Sequence, residues 1–354
     1  MPKTIDNHGN YIISLGSLCE WMGAHAEEKG VDILSGICAD QILFKEDGSV
    51  GGIITGDSGI AKDGSHKDTF TPGIQINAKQ TIFTEGARGS LTERLKKHYL
   101  LDANSTSKQH YGIGLKEVWE MPEGHQHFQA GYVQHTVGWP LTNDVYAGSF
   151  MYHIQPNKIL IGLVVGLDYT NPYLNPYEEF QQLKTHPEIR KYLEGGQCIS
   201  YGARVLNEGG YHAIPKLTFP GGMLAGCSAG FLNVMKIKGT HNAMKTGMLA
   251  AEAIVEAHET MDGQELKTYE QKVMSSWVAE ELKQSRNFKG GFEKGLIHGL
   301  VHGGIVSHIT KGREPWTFAH TKPDSAATLP KSMAKPIAYP KHDGKLTFDL
   351  LTNL

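Results

Sequence analysis

The stretch "PGGMLAGCSAGFLNVMKIKGTHNAMKTGMLAAEAI", Pro220 to Ile254, constrains the fold more than any other in the chain. A Pro-Gly-Gly entry leads into a short apolar strand and then a turn with small side chains at Gly226-Cys227-Ser228-Ala229-Gly230. Met244, Gly247, Met248, Ala251 and Ile254 follow at helix spacing. Glycine lacks a Cβ, so the chain can bend through left-handed angles there, and a flat or phosphorylated ligand can lie against its N–H groups. A small-residue helix that merely packs tightly is the plain alternative. One such turn does not decide between them.

A second turn adds weight. "IQINAKQTIFTEGARGSLTERL" reads as a strand ending in Glu85-Gly86 that becomes a helix across Gly89. A strand that hands over to a helix through glycine belongs to an open α/β sheet, where ligands sit beyond the carboxyl ends of the strands. The corners at residues 86–89 and 226–230 together predict a dinucleotide on one sheet edge, provided that the corners converge. Glycine is the compositional outlier, at 42 of 354 residues, and it recurs in pairs and motifs instead of a repeat.

Around these corners the chain reads as two kinds of structure. "YIISLGSLCEWMGAHAEEKGVDIL" predicts a helix stopped by Gly30 and a short strand from Val31 to Leu34. "ADQILFKEDGSVGGIITGD" predicts a hairpin turning at Glu46-Asp47-Gly48. From Tyr111 to Glu208, short β-rich runs parted by turns predict an antiparallel sheet, with a helical insert between Asn175 and Gly196. The expected fold class is therefore α/β, or α+β overall, with an antiparallel β domain inserted into a sheet domain. A long amphipathic helix is expected over Glu265 to Phe288, and an extended wrap or linker beyond Trp316.

Composition narrows the function. A net charge of −3 provides no broad basic field, which sets nucleic acid aside as a partner. Cys19, Cys38, Cys198 and Cys227 form no C-x-x-C pair and have no histidine at finger spacing, so neither zinc nor an iron–sulfur cluster is encoded. The N-terminus carries no secretory or transit pattern. No Ser-His-Asp, Cys-His or paired-carboxylate set emerges. "GLIHGLVHGGIVSHITK" is too short for a confident span but suits a segment dipping into one leaflet. Its His298 and His302, four apart, lack a third ligand and are expected to face interfacial water or a ligand mouth.

Several longer blocks carry a resemblance. "HTVGWPL", "YAGSFMYH", "GLVVGLDYTNPYLNP", "YGARVLNEGG", "IPKLTFPGG", "KIKGTHNAMK", "KGREPWTF" and "YPKHDGKLTFDLL" resemble the electron transfer flavoprotein-ubiquinone oxidoreductase family over essentially the whole chain. The resemblance implies a membrane-attached flavoenzyme with FAD, a [4Fe-4S] cluster and a ubiquinone pocket, taking electrons from reduced electron transfer flavoprotein. It implies the matrix face of the mitochondrial inner membrane, or the cytoplasmic face in a bacterium. The family's opening G-x-G-x-x-G turn and its four closing cluster cysteines do not occur here, so the chain reads as a central part. On that resemblance, residues 1–105 and 219–288 make the FAD/NAD(P)-binding sheet domain, incomplete at its N-terminus. Residues 106–218 make the inserted ubiquinone domain, 289–313 a membrane-associating segment, and 314–354 a tail leading to an iron–sulfur domain.

Residue by residue, the resemblance implies that Glu85, Gly86 and Gly89 form the inner FAD turn. Gly226, Cys227, Ser228, Ala229, Gly230 and Asn233 would run beside the flavin. Tyr146, Ala147 and Gly148 would meet ubiquinone, with Ala147 standing where the family has glycine, which puts any left-handed backbone there in doubt. Tyr146 is a candidate proton or hydrogen-bond donor to the quinone. A related reductase or hydroxylase of the geranylgeranyl reductase type, and a fragment that holds no FAD, remain open as alternatives.

Overall fold

Local signals account for the first elements of the computed structural model, which describes residues 6–320 and 322–349. The Ser14 side chain accepts a hydrogen bond from Ser17 N and opens α1 (Leu15–Glu27). The expected strand from Val31 to Leu34 does not form. Val31 N instead bonds back to Ala26 O at 3.1 Å, and Ile33 folds onto Gly23, so the segment lies along α1 without a strand partner. The hairpin is present: β1 (Ala39–Phe44) and β2 (Val50–Thr55) turn at Gly48, φ +81°, with the Asp47 carboxylate accepting from Ser49 N at 2.9 Å. A second hairpin, β3 (Ser58–Ile60) and β4 (His66–Thr71), projects beyond it, and β5 (Gln75–Asn77) returns beside β2. β6 (Thr81–Phe83) then leads through the glycine corner into α2 (Ser90–His98).

The alternating middle of the chain builds a five-stranded antiparallel sheet. It comprises β7 (Tyr111–Glu120), β8 (Val133–Val137), β9 (Ala147–Ile154), β10 (Lys158–Gly166) and β11 (Gln197–Asn207), ordered β11-β7-β10-β9-β8. Between β10 and β11 lie α3 (Pro176–Lys184) and α4 (Pro187–Leu193), each opened by proline and capped by Asn175 or His186. Phe180 and Leu183 of α3 pack on Trp119, Met151, Ile159 and Ile161 of the sheet. Inside this layer Lys184 is fully buried and donates to both Glu117 carboxylate oxygens at 2.9 Å, while Trp119 Nε1 donates to Glu117 Oε2 at 2.8 Å. Each charge is therefore matched, which a buried pair requires.

The sheet domain then resumes with β12 (Thr218–Phe219), β13 (Gly222–Leu224) and α5 (Thr240–Ala257). The long helix expected over Glu265 to Phe288 is two helices, α6 (Lys267–Met274) and α7 (Trp277–Ser285). Ser275 closes the first, and the Ser276 hydroxyl accepts from Val278 N at 3.2 Å to start the second, so a serine pair acts as stop and restart. Leu91, Leu95, Leu249, Ala253, Tyr269, Val273, Val278 and Leu282 from these helices enclose Phe83 and Leu224 in one core. Each large apolar side chain buried there contributes about 1.5–3 kcal/mol.

After Phe288, α8 (Leu296–Gly304) continues into a π-helical stretch at Ile305–Thr310. No helix among the described residues is long and apolar enough to cross a membrane. The tail wraps the five-stranded layer. Tyr339 O–H donates to Glu179 Oε1 at 2.9 Å, Phe348 N donates to Gln181 Oε1 at 2.9 Å, and Leu346 is buried in the sheet's core.

Candidate functional site

The two glycine corners meet. β6 and β13 are parallel neighbours, with Gly222, Met223 and Leu224 opposite Thr81, Ile82 and Phe83. Their carboxyl ends carry the corners side by side, and the Ser228 hydroxyl lies 3.5 Å from Gly86 O. Backbone angles turn left-handed at Gly86 (φ +80°), Arg88 (φ +56°), Gly226 (φ +58°) and Gly230 (φ +83°). Nothing lies within 4 Å of where a Cβ would sit on Gly86, so this face of the corner is open to a ligand. A cradle of turned backbone at the ends of two parallel strands fits a dinucleotide.

The candidate residues divide by what they touch. The Glu85 carboxylate points into α2, accepting from Leu91 N at 3.2 Å, Thr92 N at 2.6 Å and the Thr92 hydroxyl at 2.7 Å. It thereby satisfies the free donors of that helix's first turn. A Cβ on Gly89 would run into the Glu85 side chain, so Gly89 makes room for this cap. Gly226 N donates to Thr246 Oγ1 at 3.1 Å, pinning the second corner to α5. Ser228 and Ala229 are buried, and burial pushes the Cys227 thiol up. Asn233 holds the loop together: its Nδ2 donates to Glu281 Oε1 at 2.9 Å and its Oδ1 accepts from Lys236 N at 3.0 Å. Burial acts to raise the Glu281 carboxyl, but hydrogen bonds from His241, Lys236 and Asn233 outweigh it and hold the group at about 2.

Tyr146, Ala147 and Gly148 sit where the turn after β8 enters β9. Ala147 is regular, buried strand, opposite Val165 of β10, so no left-handed backbone is required of it. A Cβ on Gly148 would lie 2.8 Å from Thr136 O, so this glycine permits close approach of β8. Tyr146 is half-buried between the Phe292 ring, 5.0 Å away, and Lys289, whose Nζ lies 5.6 Å from its ring centre. Burial first, and the charges of Glu208 and Asp168 second, push its phenol far up, so it stays protonated. His298 Nδ1 lies 2.6 Å from Gly291 O. His302, expected at water or a ligand mouth, is instead buried, with Trp316 Nε1 donating to its Nε2 at 3.3 Å, because the tail folds over α8.

Tyr111, not singled out from the sequence, joins the corners to Tyr146. The Arg88 guanidinium lies 5.4 Å over its ring. Its carbonyl accepts from Leu167 N, and the neighbouring Gly166 N donates to Tyr146 O, both at 2.8 Å. Burial pushes the Tyr111 phenol up to about 12. Gln109 was also missed: its Oε1 accepts from Gly209 N at 2.7 Å while its Nε2 fills the space where a Gly230 Cβ would be. Both act across sequence separations that no local pattern records.

Known proteins give this geometry its context. The family described as "ETF-QO, ubiquinone-binding" matches residues 111–206, which is the five-stranded layer. Mitochondrial electron transfer flavoprotein-ubiquinone oxidoreductase of Oryza sativa subsp. japonica is 47% identical over 355 residues, covering 100% of this chain and 61% of the relative. The same-named protein of Caenorhabditis elegans is 51% identical over 359 residues, covering 98% of this chain and 59% of its own length. Over nearly its whole length the chain is similar to these oxidoreductases. It spans about three fifths of the length of the curated relatives it matches. Among solved structures, a geranylgeranyl bacteriochlorophyll reductase-like protein from Thermoplasma acidophilum matches with a TM-score of 0.58 at 16% identity, over 84% of this chain and 64% of that one. A flavoprotein/dehydrogenase from Cytophaga hutchinsonii matches with a TM-score of 0.52 at 14% identity, over 85% and 70%. At those identities they support the mixed helix-and-sheet fold alone.

Proposed function

We propose that this chain forms the flavin- and quinone-handling part of an electron transfer flavoprotein-ubiquinone oxidoreductase, passing electrons from reduced electron transfer flavoprotein to ubiquinone. The observation that carries this reading is the convergence of Gly86 and Ser228 at the ends of β6 and β13. In this reading residues 1–105 and 219–288 make the flavin domain and 106–218 the quinone domain. FAD lies on the backbone of Gly86 and of Gly226, Cys227, Ser228, Ala229 and Gly230. Glu85, Gly89 and Asn233 keep those corners in shape.

FAD supplies the two-electron chemistry when bound, and the protein's part is position and field. N–H groups at the corners face the cofactor's negative charge. Tyr111 separates the flavin corner from Tyr146, Ala147 and Gly148, where the quinone head would rest, with the Tyr146 phenol as its hydrogen-bond donor. The family's [4Fe-4S] cluster belongs to the whole protein, since its ligand cysteines are not among the four cysteines of this chain.

A membrane surface, the matrix face of the mitochondrial inner membrane, completes the proposal. Ile297, Val301 and Ile309 on α8 and its extension are 70%, 63% and 73% exposed, and Phe292 at its base touches Tyr146. An apolar helix face beside the quinone site suits a lipid-soluble substrate.

The test is flavin binding followed by quinone reduction. The purified chain, and the full-length protein, are titrated with FAD while flavin fluorescence is read. Gly86→Val, which forces a branched side chain into left-handed backbone, is expected to weaken binding at least tenfold. Unchanged affinity in that variant, or no flavin taken up by the full-length protein, sinks the reading.

A further inference from the structure

Two glycines face each other at one end of the five-stranded layer: Gly112 of β7 is the cross-strand neighbour of Gly166 of β10. Each leaves room for a carboxylate. A Cβ on Gly112 would lie 2.5 Å from Glu208 Oε1, and a Cβ on Gly166 would lie 2.8 Å from Asp168 Oδ1. Lys289 Nζ reaches both acids, at 3.2 Å from Asp168 Oδ2 and 3.6 Å from Glu208 Oε2. Behind them, His110 Nδ1 is 3.7 Å from Asp168 Oδ2 and 2.6 Å from Asp324 Oδ1. The His320 ring lies against His110 at 3.4 Å, with its Nε2 3.8 Å from Asp324 and its Nδ1 3.6 Å from Glu293. Glu293 is 53% exposed, whereas Glu208 is 5% exposed and its Oε2 accepts no hydrogen bond.

The chemistry of this group is that of a proton store. Two enclosed carboxylates, Glu208 and Asp324, and the partly exposed Asp168 share the Lys289 cation, and the rest of their balance falls to the His110 and His320 imidazoles, the second of which burial and the charges of His110 and Lys289 hold below its ordinary value. Lys289 already fills the cation position between Asp168 and Glu208, which argues against a metal there. Burial raises the Glu208 carboxyl, and Lys289 and His110 only partly counter it. The same Lys289 ammonium sits beneath the Tyr146 ring. His110–Asp324 at 2.6 Å and Lys289–Asp168 at 3.2 Å are already in hydrogen-bond contact, and the remaining steps of 3.6–3.8 Å need only a small side-chain movement to reach it.

We propose that Glu208, with Lys289, Asp168, His110, Asp324 and His320 behind it, delivers protons from solvent at Glu293 to a quinone bound at Tyr146. The inference rests on the quinone-reducing reading above and names the residues that would complete it. Reduction of a quinone adds two electrons and two protons, forming two O–H bonds and breaking none in the ring. The electrons come from electron transfer flavoprotein by way of the flavin. The proton for the quinone oxygen that meets Tyr146 leaves the Glu208 carboxyl by way of the Tyr146 hydroxyl and is replaced through the histidine pair from water at Glu293, while the opposite oxygen takes its proton from solvent.

Glu208→Gln and Glu293→Gln in the flavin-loaded full-length protein test this. Three quantities are read: flavin reduction by electron transfer flavoprotein without quinone, the pH profile and solvent deuterium isotope effect of quinone reduction, and the infrared band of a protonated carboxyl at neutral pH. Glu208→Gln is expected to leave flavin reduction unchanged, to slow quinone reduction at least tenfold, and to remove the infrared band. Glu293→Gln, at the surface end, is expected to slow quinone reduction severalfold above neutral pH, with recovery in imidazole buffer. Wild-type rate, pH profile and isotope effect in both variants would overturn the proposal, and so would a carboxyl band that survives Glu208→Gln. If the wild-type protein takes up no flavin or reduces no quinone, the functional reading fails instead, and the infrared band alone then decides whether Glu208 stores a proton.

Discussion

The five-stranded layer and helix α1 treat their apolar residues in opposite ways. Along β9 burial alternates strictly, and Trp119, Met151, Ile159 and Ile161 lie closed beneath α3 and the tail. Along α1 the helix period is equally plain, yet none of its residues is buried, and Trp21 is 61% exposed. The difference shows that periodicity reports an element's shape and the side it offers, while the cover must come from somewhere else in the molecule. The sheet finds that cover within its own sequence. Among the described residues α1 meets the 31–34 segment laid against Gly23, which leaves none of its residues buried.

Breaking the sheet's cover at its most demanding point has the largest expected effect. Lys184→Met leaves the Glu117 carboxylate buried without its cation, and chemical unfolding should show a loss of about 3–5 kcal/mol. Adding Glu117→Leu in the same chain should recover most of it. A single-variant loss below about 1 kcal/mol would mean that water reaches the pair.

Gly162→Ala comes next. The new Cβ would meet the Phe150 ring and lie 2.5 Å from Leu115 O, an expected loss of about 1–3 kcal/mol by thermal unfolding. Gly202→Ala on β11 has nothing within 4 Å and should be neutral to within about 0.5 kcal/mol, so the pair separates crowding from the loss of glycine itself.

Acid distinguishes the two regions by a different route, because the clamp that closes the second glycine corner is ionic. Glu281 is held at about 2, below its ordinary 4.5. Its contribution is therefore fully present above 4.5 and is lost as pH falls from 4.5 through 2, and it amounts to roughly 2 kcal/mol after allowing for solvent screening. Glu281→Gln should flatten the acid limb of the stability curve over that interval, and an unchanged limb would exclude the clamp. The smallest effect belongs to α1, where Met22→Ala should shift stability by no more than about 0.5 kcal/mol, and a larger loss would reveal cover that the described residues lack.

These contrasts also mark what was legible in the sequence. The hairpin at Asp47-Gly48, the antiparallel middle and both glycine corners were readable, because turn chemistry and period-two alternation are local signals. The serine break between α6 and α7 was not, since apolar residues keep their helical phase across Ser275 and Ser276. Glu85 and Gly89 were recognisable as a corner, but their mutual fit was not, because a side chain bending back over its own turn leaves no trace in spacing. Lys289 and Asp168 lie 121 residues apart, and only the folded chain brings them together.

The tail has a consequence for how this protein comes apart. The Phe348 ring lies 4.7 Å from the Lys184 ammonium, so the last turn of the wrap also roofs the charge at the centre of the sheet. Peeling that clasp away would wet the Lys184–Glu117 pair, and the strands would loosen in the same event. Protease cuts after Lys341 or Lys345 should therefore appear only as fast as the whole layer melts, which makes the clasp a built-in reporter of the sheet's integrity.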